Sequence, residues 1–188
     1  MTQTTSEKLR WTTGDLELLP DNGNIYEIID GELFVTKTPH WGHQNVSGRI
    51  FAALDDWSIT TNLGEASLAL GIIFSNGDNV IPDVVWASND CLSALLDEAG
   101  HLTGAPELAV EVLSPGKENE RRDKQTKLKL YSNRGVREYW ICDRFLQTIE
   151  IYRRKNAVLK LTATLFNNDV LTSPLLPGFT CQVARIFA

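Results

Sequence analysis

The run Leu108-Ala109-Val110-Glu111-Val112-Leu113 sets one carboxylate inside an otherwise unbroken apolar stretch, between the loop Thr103-Gly104-Ala105-Pro106 and the breaker Ser114-Pro115-Gly116. Near-continuous apolar character over a segment this short reads as a strand covered on both faces, here Glu107 to Ser114, and a strand of that kind sits inside a sheet flanked by other layers. An ionised glutamate in such surroundings is unfavourable unless a cation or a hydrogen-bonding partner compensates it. Whatever fold the chain adopts has to supply that compensation, and a metal ion is the simplest form of it.

The segment that follows supplies a second candidate. A helix is predicted from about Glu120 to Asn133, stopped by Gly135 as a left-handed cap, and Val136 to Cys142 is another apolar strand. Strand, helix, strand is one right-handed crossover unit. Glu111 lies roughly 10 Å back from the strand end at ~3.3 Å per residue. Lys127, seven residues into a helix that runs the other way, is also roughly 10 Å along it at ~1.5 Å per residue. The two are level. Lys127 also falls on the sheet-facing stripe with Leu128, Leu130 and Tyr131, whereas Lys129 falls on the opposite face. Two readings stay open, a structural ion pair between sheet and helix or a functional pair. Lys124 is a rival for Lys127, some 60° away around the helix.

Elsewhere the chain gives local signals. Thr12 to Leu19 suggests a short N-terminal helix stopped by Pro20. Ile25 to Ile29 and Glu32 to Lys37 flank Asp30-Gly31, a type I′ hairpin signal, and put Glu27 mid-strand. Val46, Ile50, Ala53, Leu54 and Trp57 recur at helical spacing over Trp41 to Trp57, with His43 near the start as a capping, packing or site residue. Leu68 to Phe74 and Val80 to Trp86 read as an antiparallel hairpin about Ser75-Asn76-Gly77-Asp78-Asn79. Asp83, directly after Pro82, is out of place in it on β-propensity. A surface helix is predicted over Asp90 to Ala99, capped by Asn89 or Asp90. Gln147 to Arg153 and Ala157 to Leu165 look like antiparallel additions, and Phe166 to Phe187 a loosely ordered finish. The sum is an α/β domain with a mixed sheet.

Composition narrows the partners. At 188 residues with 43% hydrophobic and 22% charged, the chain fits one globular domain spanning 1–188. No apolar stretch reaches the roughly 18 residues of a membrane span, and the polar start Met1 to Glu7 lacks a secretion signal, so a cytoplasmic protein is expected. Cys91, Cys142 and Cys181 are far apart and read as structural thiols. A net charge of −6 argues against coating nucleic acid through a general positive field. Yet Lys117, Arg121, Arg122, Lys124, Lys127 and Lys129 are concentrated in one segment, either a solvated mixed-charge helix or a local phosphate-facing patch.

Pro82-Asp83-Val84, Val110-Glu111-Val112-Leu113-Ser114-Pro115, the spacing Asp123-x-x-x-Lys127-x-x-x-Tyr131 and Gly135-Val136-x-Glu138-Tyr139-Trp140 together resemble the Uma family of restriction-like endonucleases, within the PD-(D/E)xK nuclease superfamily. The resemblance runs from about Tyr26 to Tyr152. It implies a restriction-endonuclease-like core, a mixed β-sheet flanked by helices with extra antiparallel strands. It further implies Mg²⁺ or Mn²⁺ held by Asp83, Glu111 and the Val112 carbonyl, hard oxygen ligands suited to those ions. Leu113 stands where the superfamily signature has lysine, and Lys127 resembles the migrated replacement that orients or deprotonates the attacking water. Glu27 resembles the acidic residue that sometimes completes the site, with His43 a secondary catalytic candidate. The expected activity is metal-dependent hydrolysis of DNA phosphodiesters, with Lys117, Arg121, Arg122 and Lys124 toward the nucleic acid and a homodimer left open. The alternatives are a catalytically silent nuclease-like domain that binds nucleic acid or protein, and a hydrolase of small phosphoesters.

Overall fold

A computed structural model describes residues 9–188. The start of the chain, read above for the absence of a secretion signal, lies outside the described residues. Among those described, no helix is long and apolar enough to cross a membrane.

The glutamate-bearing run is β7 (Leu108–Val112), buried at every position. It lies in a six-stranded sheet of order β10-β9-β8-β7-β6-β3. There it pairs in parallel with β8 (Glu138–Asp143) and antiparallel with β6 (Val84–Ser88). All the other pairings are antiparallel, including β9 (Thr148–Lys155) with the sheet-edge strand β10 (Val158–Leu165) and β3 (Gly64–Leu68) with β6. Strand alternation sends Val110 and Val112 to one face and Ala109 and Glu111 to the other. On the first face, α2 (Trp41–Thr61) buries Val46, Ile50, Leu54 and Trp57 against Val84, Trp86, Val110 and Trp140. On the second lie Leu130 and Tyr131 from the crossover helix, together with Ile29, Ile72 and Val80 from a smaller sheet of order β2-β1-β5-β4. Glu111 therefore faces the layer that the crossover helix and the small sheet share.

In the small sheet, β1 (Ile25–Ile29) and β2 (Glu32–Thr36) turn through Asp30 and Gly31, both at positive φ, 51° and 71°, as a type I′ turn requires. The crossover helix is continuous but not uniform: α4 (Lys117–Arg121), a π-helical segment (Arg122–Lys127) and α5 (Leu128–Arg134), ended by Gly135 at φ 106°.

Several expectations are corrected. The two runs read as one hairpin each break in two. β4 (Ile72–Ser75) pairs with β5 (Asp78–Val80) in the small sheet, while β3 pairs with β6 in the large one. The second run breaks at Pro82, which has no N–H to continue the ladder. The first breaks where Ala69 takes a φ of 48°. Gly64 opens β3 because a β-carbon there would lie 2.2 Å from the Ala87 carbonyl, so the strand starts at a residue that β-propensity discounts. The helix α2 continues past Trp57 to Thr61, ending at Asn62 with φ 54°. The helix α3 (Asn89–Leu95) is capped by Ser88, whose hydroxyl accepts the Cys91 N–H, and ends early because Leu96 bridges Leu102. The C-terminal stretch is ordered. β11 (Val170–Ser173), β12 (Leu176–Gln182) and α6 (Val183–Phe187) bring Leu171, Leu176, Phe179, Val183 and Ile186 into the α2-side core. Its prolines interrupt the periodic signal without preventing that burial. Of the three thiols, which are free, only Cys142 is fully buried.

Candidate active site

Lys127 Nζ lies 2.8 Å from Glu111 Oε1 and 2.8 Å from Glu27 Oε1, and its side chain is only 1% exposed. One ammonium thus ties the middle of β7 to the middle of β1. Tyr131, one turn on, donates its hydroxyl to the same Glu111 oxygen at 3.0 Å. Glu27 Oε1 also accepts the Ile81 N–H at 2.8 Å, which fixes the turn leading into Pro82-Asp83. Asp83 turns back onto β7, where its Oδ2 accepts the Val112 N–H at 2.7 Å and lies 3.2 Å from His43 Nε2. The ladder position vacated at Pro82 thus lets the next side chain cap the central strand.

The π-helical segment decides which basic residues turn inward. Arg122, Asp123 and Lys127 are all buried. At ~100° per residue of α-helix, Arg122 and Lys127 would stand on opposed sides. The wider π turn brings them to one face, and such segments recur at functional sites. Arg122 donates Nε to Asp123 Oδ1 at 3.1 Å and Nη1 to Thr36 Oγ1 at 2.6 Å, with Glu27 Oε2 at 4.0 Å. Arg122 is thus buried and lines the cavity instead of standing on the solvent face of the helix. Lys124 is held by Glu120 and Glu150 at 3.4 and 3.1 Å and does not reach Glu111. Lys117 and Arg121 are exposed, Arg121 on a groove between the helix and the β1-β2 hairpin.

Asp83, Glu111, Val112, Glu27, His43, Arg122 and Lys127 all line one cavity of about 30 Å³, room for a water molecule or an ion. Among the described residues, the hydrogen bonds and ion pairs of Asp83 fall on Oδ2 and those of Glu111 on Oε1, so each keeps its second oxygen uncommitted there. Among the described residues, no three His, Cys, Asp or Glu side chains are arranged as a ready metal cluster. Two carboxylates with a backbone carbonyl nonetheless match the hard-oxygen chemistry of Mg²⁺ or Mn²⁺, which retain several waters.

The charges are unbalanced. Four carboxylates, Glu27, Asp83, Glu111 and Asp123, meet two permanent cations, Lys127 and Arg122, with His43 beside Asp83, so acidic groups outnumber the cations that face them. Burial drives Glu111 well above the usual carboxylate range; Lys127 pulls it back, and Asp83, Asp123 and Glu27 repel it upward again. Burial likewise raises Asp123, against the pull of Lys127 and Arg122. For Lys127 burial favours the neutral amine, but Glu111, Glu27 and Asp123 outweigh it and raise its pKa. His43 is raised as well, burial being overcome by its hydrogen bond to Asp83 and that residue's charge. Its Nδ1 is buried without a partner among the described residues.

The sequence reading missed the buried roles of Asp123, Arg122 and Thr36. The i, i+4, i+8 spacing of Asp123, Lys127 and Tyr131 was a usable signal for one shared face, whereas nothing local marked the π turn.

The domain is thus a mixed α/β sheet with Glu111 on its central strand, Glu27 and Asp83 brought to it from neighbouring segments, and Lys127 on the crossover helix. The fold is similar to the crystal structure of a protein from Anabaena variabilis ATCC 29413 described as a "putative nuclease belonging to DUF820", with a TM-score of 0.75 and 17% identity over 94% of this chain and 97% of that one. The family described as "Uma2: Putative restriction endonuclease" matches residues 13–184, and the chain belongs to that family. No curated protein matches it. Family and fold together support a nuclease.

Proposed function

We propose that the protein is a metal-dependent endonuclease that hydrolyses DNA phosphodiester bonds. The observation that carries this reading is the ion-sized cavity onto which Asp83 and Glu111 each bring a carboxylate whose second oxygen is uncommitted among the described residues, inside a cluster where acidic groups outnumber cations. Asp83, Glu111 and the Val112 carbonyl would hold Mg²⁺ or Mn²⁺, which when bound polarises a phosphate and lowers the pKa of water. Lys127 acts as an ammonium, because its raised pKa keeps it protonated and unsuited to removing a proton. Of its three N–H groups two go to Glu111 and Glu27, which fixes both carboxylates, and the third is left to orient water or a phosphate oxygen. Tyr131 holds the same Glu111 oxygen, so two side chains one turn apart on the crossover helix set that residue's orientation. Arg122 brings a second positive charge to the cavity wall, where charge accumulates on a phosphate undergoing displacement. His43 fixes Asp83 from α2.

Cleavage of plasmid and single-stranded DNA in Mg²⁺ or Mn²⁺ tests the proposal, with chelator and Asp83→Ala as controls. Divalent-dependent cleavage that disappears in the variant is expected. Binding without cleavage by the wild type under every metal tested would refute it in favour of a silent nucleic-acid-binding domain.

A further inference from the structure

Two exposed aromatic side chains lie close in the chain to residues level with the site, and the arrangement just described uses neither of them. Trp41, 78% exposed, is the first residue of α2, two positions before His43. Phe145, 62% exposed, follows the end of β8, whose Cys142 lies in register with Val112. Arg144 links the two segments. Its guanidinium carbon stands 4.0 Å from the centroid of the Phe145 ring, and its Nη1 lies 3.2 Å from where a β-carbon on Gly42 would be. The Phe145 turn is pinned, since Asp143 Oδ1 accepts the N–H groups of Phe145 and Leu146 at 2.9 and 3.0 Å. A ring exposed to solvent, fixed in place and backed by a guanidinium has the composition of a surface on which nucleobases stack.

We propose that Trp41 and Phe145, whose segments Arg144 joins, form a stacking platform for unpaired bases of the strand whose phosphates reach the Asp83 and Glu111 cavity. The substrate class is then single-stranded or locally unpaired nucleic acid. The inference rests on the nuclease reading for the position of the phosphates. Two features favour this occupant over a duplex. A chain of net charge −6 lacks a general field to hold a phosphate backbone, so a few local cations leave much of the affinity to contacts that are not ionic. Stacking on protein rings is such a contact, and it is open only to bases whose faces are not already stacked in a helix.

The test compares binding of a thymidine oligonucleotide with that of an abasic oligonucleotide of equal length and charge, by fluorescence anisotropy in EDTA so that no cleavage intervenes. The wild type should prefer the base-bearing strand by roughly 10- to 100-fold for each stacked base. Trp41→Ala and Phe145→Ala should each reduce that preference while leaving abasic binding unchanged. Ile59→Ala, an exposed apolar residue near the other end of α2, should leave both unchanged. Equal wild-type binding of the two probes, or a preference that survives both ring substitutions, would overturn the platform. So would a wild-type dimer that dissociates on Trp41→Ala in sedimentation, which would assign the rings to contact between two copies. Because the readout is binding, a base preference without divalent-dependent cleavage would refute the nuclease reading and leave the platform standing, and cleavage without the preference would do the reverse.

Discussion

Replacing Lys127 with methionine removes the one ammonium that Glu111 and Glu27 share while keeping most of the aliphatic volume, so the charge can be tested without opening a cavity. Sequence reasoning alone predicts that the fold survives this change unharmed. The structure gives it a cost. Both carboxylates are buried, and both lie 2.8 Å from Nζ. Removing one partner of a buried, hydrogen-bonded ion pair costs about 3–5 kcal/mol, because the remaining charge is left uncompensated. For a chain of this size each kcal/mol shifts the midpoint by about 2–4 °C, so the metal-free variant should melt roughly 6–20 °C below wild type. Thermal denaturation in EDTA reads that shift, and DNA cleavage in Mg²⁺ should be lost. Lys129→Met, on the solvent face, should change neither. A Lys127→Met protein as stable as wild type in EDTA would refute the shared-cation account. Loss of cleavage in Lys129→Met with retention in Lys127→Met would refute the helical phase as well.

Millimolar Mg²⁺ or Mn²⁺ should raise the wild-type midpoint by mass action, and Asp83→Asn should abolish the rise in the same scan. Glu111, Asp123 and His43 all have folded pKa values raised above their unfolded ones. Each therefore contributes stability that is full below its unfolded pKa and lost as pH rises through the folded value. The part of the metal-free protein's stability that these groups supply should fall as pH rises from the unfolded carboxylate values of 3.8 and 4.5, with His43 adding to the fall above 6.5, by up to ~1.4 kcal/mol per pH unit for each proton involved. Midpoints that stay flat or rise over that range in EDTA would contradict the assignment, and Glu111→Gln should shallow the slope. Arg121→Ala should reduce the salt dependence of DNA binding by about one phosphate contact, whereas Arg122→Ala should lower stability instead, because it uncovers Asp123 and Glu27; equal salt slopes for wild type and Arg121→Ala would return Arg121 to a solvated face. Leu176→Ala should cost about 2–5 kcal/mol in chemical denaturation if the C-terminal strands are true core, and an unchanged midpoint would deny it.

Local chemistry determined the features that a few neighbouring residues can dictate. Asp30-Gly31 imposes a turn at positive φ, the apolar run around Glu111 demands cover on both faces, and Gly135 ends the crossover helix. Because strand and helix periods are fixed, the same sequence also placed Lys127 level with Glu111 and Lys129 away from it. Tertiary structure decided what depends on which surfaces meet. Glu27 joins Lys127 only because the small sheet closes over the crossover helix, and Asp83 caps Val112 only because the ladder is interrupted at Pro82. The C-terminal strands gain order from the apolar α2 side of the sheet, which their own weak periodicity does not announce. Arg122 looked like a solvated cation because α-helical phase places it away from Lys127. The π turn reverses that: a buried carboxylate cluster stabilises a locally less favourable backbone by the cation it brings in, a balance set by residues from β1 and β7 and invisible to any window along the helix itself.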